Sequence, residues 1–98
     1  MRVSPDLVFS EVGHVLRAEE RRSSVDLTEH FATFIKSPWT FFRFSEYASI
    51  AWPLRHDVSL YDACYVALAM GLRIPLVTLD RKLASAATRY CEVHIPGE

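Results

Sequence analysis

The chain has 98 residues, half of them hydrophobic, and a formal net charge of −1. That length holds one domain at most, and the hydrophobic share excludes a disordered polymer. The charge balance gives no whole-molecule attraction to nucleic acid, so a polyanionic partner would need a local basic patch or a bound cation.

The N-terminal stretch MRVSPDLVFSEV places Asp6 and Glu11 inside its only apolar run, so it does not read as a signal peptide. No apolar stretch reaches the length of a membrane span. Cys64 and Cys91 lack metal-ligand spacing, and a reducing, cytoplasmic compartment is expected. Ser4-Pro5 is a helix-start signal, with Ser as the cap and Pro at the first helical position. Leu7, Val8, Val12, Val15 and Leu16 recur at helical spacing, which predicts an amphipathic helix from Pro5 to about Arg17. Glu11 lies four residues from both Leu7 and Val15, on or beside the apolar face. The following AEERRSS reads as a solvated helix end and loop. Alternatively, Arg17, Arg21 and Arg22 offer an edge to phosphate or to a partner.

Asp26-Leu27-Thr28-Glu29 has the pattern of a capping box. A second helix is expected after it, buried through Leu27, Phe31, Phe34 and Ile35 and ended by Ser37-Pro38. The aromatic WTFFRF, residues 39–44, reads as a strand. Ser45 then caps a helix through Trp52, interrupted by Pro53.

From Leu60 to Leu79 nearly every side chain is apolar or small. Ser59 is a natural N-cap for a helix that is apolar all round, and Gly71 suits its C-terminus. Ile74 to Leu79 is a continuous apolar run, as expected of a strand covered on both faces. Asp80 follows at its carboxyl end and can cap a helix from Arg81 to about Ala87. Glu92 to Ile95 reads as a last strand. Alternating helices and strands give a parallel α/β fold, and sites in such folds gather at the carboxyl ends of strands.

Asp62 and Asp80 are the anomaly in this apolar stretch. Each has a bland explanation as a helix-capping carboxylate. Several carboxylates at the end of an α/β sheet, without a Cys or His cluster, instead suit a hard, oxygen-preferring cation, Mg²⁺ or Mn²⁺. Sites of that kind hydrolyse or transfer phosphoryl groups.

The stretch SLYDACYVALAMGLRIPLVTLDRKLASA resembles the hallmark segment of PIN-domain ribonucleases of the VapC toxin type. Its Tyr-Asp-Ala-x-Tyr-x-Ala-Leu-Ala core and the following Pro-Leu-Val-Thr-x-Asp-x-x-Leu carry the resemblance. The segment SPDLVFSEVGHVLR is similar to the family's early Glu-Val-x-x-x-Leu-Arg helix. The resemblance implies a three-layer α/β/α fold with a parallel sheet, formed here by residues 1–98 as a partial PIN domain. It implies a metal-dependent endoribonuclease that cleaves RNA, a cognate VapB-like antitoxin and a homodimer. The family's acidic cluster carries over to Glu11, Asp62 and Asp80 as metal-holding, catalytic residues, with Thr78 in support. Arg17, Arg55 and Arg81 are implied as RNA phosphate contacts.

The chain departs from the family pattern where it begins. Family members start with a strand ending in Asp, and that strand and its acid are expected to be missing here. His14 stands where many relatives have a small polar residue. Arg81 and Lys82 follow Asp80 where some relatives carry a further acid. Three readings stay open: an active toxin ribonuclease, an inactive remnant that binds an antitoxin or sister subunit, and a PIN nuclease of RNA processing. For the 98-residue chain alone, weak or no turnover and a tendency to associate are expected.

Overall fold

A computed structural model describes residues 2–97, which divide into two units with the boundary between Phe42 and Arg43. In the first unit β1 (Val3–Pro5) leads into α1 (Val8–Ser23), followed by α2 (Thr28–Ile35) and β2 (Thr40–Phe42). The two strands pair in parallel with Val3 opposite Thr40 and Pro5 opposite Phe42.

The expected helix start at Ser4-Pro5 is therefore corrected: both residues are buried in a strand. The Ser4 hydroxyl donates to the Pro5 carbonyl at 3.0 Å and caps nothing. A local cap signal has lost to long-range strand pairing. The expected end of α1 near Arg17 is also corrected, because the helix continues to Ser23. Its charged last turns are laced by pairs three residues apart, Arg17–Glu20 at 3.2 Å and Glu19–Arg22. Ser24 then turns into the left-handed region at φ 60° and ends it. Phe9 of α1 meets Phe34 edge-on at 5.7 Å and Phe41 of β2 at 4.2 Å. At Gly13 an added Cβ would sit 3.3 Å from Phe31 Cε1, so the missing side chain lets α2 approach. The start of α2 is held by Asp26, whose carboxylate accepts from both the backbone N–H and the hydroxyl of Thr28, at 2.9 and 2.6 Å. This is a local turn two residues long, in place of the predicted capping box.

The second unit is built on α4 (Leu60–Leu72), preceded by a 3₁₀ turn at Phe44–Glu46, the short α3 (Ala48–Ala51) and a 3₁₀ turn at Trp52–His56. The helix expected before Pro53 is thus split into three short pieces, with Pro53 at the second position of the last. Ala63, Cys64, Val66, Ala67, Leu68 and Ala69 of α4 are buried, together with Ala51 and Leu54 ahead of it. The many alanines bring backbones close, and Gly71 does the same: a Cβ there would meet Ile50 Cδ1 at 3.2 Å. Gly71 lies inside the helix, so the expected glycine C-cap is corrected. Arg73 takes the left-handed position at φ 56°, its N–H bonded to the last carbonyls of α4.

After α4 come β3 (Leu76–Val77), α5 (Arg81–Ala87) and β4 (Val93–His94). β3 and β4 pair in parallel, Leu76 opposite Val93, with α5 as the crossover. Leu76, Leu83, Ala84 and Ala87 are buried. The strand expected from Ile74 to Leu79 is shorter and covered on one face only. Val77 and Leu79 are 61% and 77% exposed, and among the described residues β3 pairs with β4 alone.

Candidate active site

Asp62 owes its place to Ser59. The Ser59 side-chain oxygen accepts from the Asp62 backbone N–H at 3.1 Å and starts α4 one turn before the buried run. A full capping box would also have the third helical residue's carboxylate reach back to the Ser59 N–H. That reciprocal bond is not formed among the described residues, and the half-buried Asp62 carboxylate is left unused by the cap.

Asp80 does cap its helix. Its Oδ1 accepts from the N–H groups of Lys82 and Leu83 at 2.9 and 3.1 Å. Thr78 orients this turn, its Oγ1 accepting from the Asp80 N–H at 3.0 Å, while its own N–H bonds to the His94 carbonyl at 3.1 Å. The Thr78 hydroxyl thus fixes the backbone carrying Asp80 just past the carboxyl end of β3. Both cap bonds fall on one carboxylate oxygen, and Oδ2 accepts none among the described residues.

The two acids meet at one cavity of about 520 Å³, also lined by Arg55, His56, Asp57, Ser59 and Lys82, with Val58, Leu83 and Ala86 as its apolar part. Asp57 is answered on its own side. The Arg89 guanidinium lies 3.4 Å from its Oδ1, and the Tyr90 hydroxyl donates to its Oδ2. That hydrogen bond raises the Tyr90 pKa above its ordinary value. Among the described residues Asp62 and Asp80 are the cavity's acids without such partners, and Arg55, Lys82 and His56 are its basic groups.

Carboxylate oxygens free of protein donors are the donor set that hard divalent cations prefer, and a cation relieves the repulsion between two such groups. The residues present therefore fit Mg²⁺ or Mn²⁺. Among the described residues no group of three or more His, Cys, Asp or Glu side chains is arranged as a metal cage.

Glu11 stands in the first turn of α1 in the first unit, exposed. Arg17 is on the same helix, paired with Glu20 at 3.2 Å. Arg55 lines the cavity, whereas Arg81, the first residue of α5, does not. His56 and Lys82 are cavity residues that sequence reading passed over. His56 has no ligand spacing to mark it. Lys82 becomes a neighbour only because the cap at Asp80 turns the chain back toward Asp62.

Residues 1–88 match the family model described as PIN domain. The chain is 38% identical over 103 residues to "Ribonuclease VapC1" of Mycobacterium tuberculosis, spanning 94% of this chain and 72% of that protein. It is 31% identical over 94 residues to "VapC ribonuclease Mb0985" of Mycobacterium bovis, covering 93% of this chain and 74% of the relative. "Ribonuclease VapC3" of Pyrobaculum aerophilum is 37% identical over 87 residues, 81% of this chain and 66% of that protein.

Proposed function

This chain belongs to the PIN-domain family, its relatives there being VapC-type ribonucleases, and from that premise we propose that it is a Mg²⁺- or Mn²⁺-dependent endoribonuclease of a toxin–antitoxin pair. The observation that carries the reading is the cavity at the carboxyl end of β3, where Asp62 and Asp80 face basic Arg55 and Lys82. An RNA phosphodiester needs both features: acids to hold a cation and a base-side partner for the substrate's negative charge.

Asp62 and Asp80 would hold the cation, and Glu11 is proposed as a further acid on the family resemblance of its helix alone. Once bound, such an ion lowers the pKa of water toward neutrality and stabilises charge on the phosphate oxygens. Thr78 keeps Asp80 in place through its backbone. Asp80 commits Oδ1 to the helix and offers Oδ2. Asp62, unburdened by cap bonds, orients the attacking water and accepts its proton. Arg55 and Lys82 neutralise the scissile phosphate, and Arg17 and Arg81 contact flanking phosphates. A VapB-like antitoxin and a second copy of the chain are the partners that belong to this reading.

The test is cleavage of RNA by the purified protein with Mg²⁺ or Mn²⁺ and with EDTA. Cation-dependent cleavage lost in Asp62→Asn is the expected result. Cleavage unchanged in Asp62→Asn, or equal in EDTA, would overturn the assignment.

A further inference from the structure

Trp52 is exposed over 56% of its surface, although Ala51 and Leu54 beside it are buried. Such exposure gives up much of the burial energy an indole can contribute. The ring is not bare: the Arg55 guanidinium lies over it, with Cζ 4.3 Å from the ring centroid. Arg55 Nη1 also donates to the Trp52 carbonyl at 2.8 Å. Two restraints therefore fix a long side chain that would otherwise sample many rotamers. Among the described residues Arg55 has no carboxylate partner to account for this. It is held in place, charged and exposed, on the wall of the cavity that Asp62 and Asp80 share.

A planar cation laid on an indole beside a phosphate-cleaving pocket has a specific chemical use. Its outer face stacks on a nucleobase, and its remaining N–H groups reach a phosphate. We propose that Trp52 and Arg55 form a nucleotide subsite that takes an unpaired base of single-stranded RNA next to the scissile bond. The subsite deepens the ribonuclease reading and rests on it for the reaction that follows binding. Duplex RNA does not fit, because paired and stacked bases offer no free face. Trp52 serves both as part of the platform and as the positioning residue for Arg55.

Binding separates this subsite from the cleavage reaction. The 98-residue chain in EDTA is titrated with a single-stranded RNA of about ten nucleotides, a typical single-strand site size, and with the duplex of the same sequence. In a Trp39→Phe background the emission of Trp52 reports occupancy of the subsite through the Arg55 guanidinium that lies over its ring. Quenching by the single strand and not by the duplex is expected. Trp52→Ala is expected to weaken single-strand binding about tenfold, because Arg55 loses the ring that holds its face toward the base. Trp52→Phe, which keeps an aromatic face, restores most of it, with circular dichroism checking that each variant is folded. In Mg²⁺ or Mn²⁺, Trp52→Ala raises KM by a larger factor than it lowers kcat. Absence of quenching, unchanged single-strand binding in Trp52→Ala, or a fall in kcat alone overturns the subsite. Quenching and single-strand binding without any cleavage by the unmodified chain sustains the subsite and moves the chain from the ribonuclease reading to that of an inactive remnant.

Discussion

Asp80 carries two roles on one carboxylate, and two substitutions separate them. Asp80→Asn keeps a side-chain oxygen for the Lys82 and Leu83 N–H groups, and Asn caps helices about as well as Asp. Asp80→Ala leaves both bonds, 2.9 and 3.1 Å long, without an acceptor. Loss of such a cap costs about 1 kcal/mol, which for a domain of this size lowers Tm by about 4–8 °C. Asp80→Asn is expected to match the unmodified protein, or to exceed it slightly without cation, since one of two like charges at the cavity is gone. Adding a divalent cation at ten times its Kd stabilises the unmodified protein by about 1.4 kcal/mol. Neither variant should show that increment, and neither should cleave RNA. The assay is thermal unfolding with and without Mg²⁺, read beside RNA cleavage. An Asp80→Asn protein that keeps the Mg²⁺ increment would refute the role of Asp80 in holding the ion. An Asp80→Ala protein of unchanged Tm would refute the cap.

Ser59→Ala removes the side-chain acceptor of the Asp62 N–H and should destabilise the protein by about 1 kcal/mol in urea unfolding. Gly13→Val drives a branched side chain against Phe31, 3.3 Å from where its Cβ must sit. It should cost about 1–3 kcal/mol, as overpacking does, and reduce helical circular dichroism. Tyr90→Phe tests the bond to Asp57. The pKa of Tyr90 is raised in the fold from 10.0, so the protonated hydroxyl contributes stability that is complete below pH 10 and lost as pH rises through the folded value. Tyr90→Phe should therefore be less stable below pH 10, and the difference should vanish at higher pH. A constant offset across that range would show that ionisation of Tyr90 is not linked to folding.

The elements with strong local chemistry were legible in the sequence. Ser59 caps α4, Asp80 caps α5, and α5 joins two parallel strands. What the sequence concealed was decided by distant partners. Ser4-Pro5 carries a good helix-start signal, yet pairing with Phe41 and Phe42 makes it a strand. AEERRSS reads as a solvated helix end and loop; its charges pair with one another locally at helical spacing, and α1 runs on to Ser23. Gly71 reads as a stop, although its value is the close approach of Ile50, and Arg73 supplies the left-handed turn. The same limit holds at the site. The acids Asp62 and Asp80 stand out against an apolar background, whereas Lys82 and Trp52 are ordinary residues until the chain has folded around them.

The division of labour between the oxygens of Asp80 also bears on how such a chain can evolve. Most replacements at position 80 would damage the helix along with the chemistry and be removed by selection for a folded protein. Asp to Asn is different, because it needs a single nucleotide change and leaves the cap acceptor in place. Silencing of the carboxylate and preservation of the scaffold are thus one mutational step apart. A lineage that kept the domain for its partner-binding surface, having lost the need for its chemistry, would be expected to carry Asn at this position.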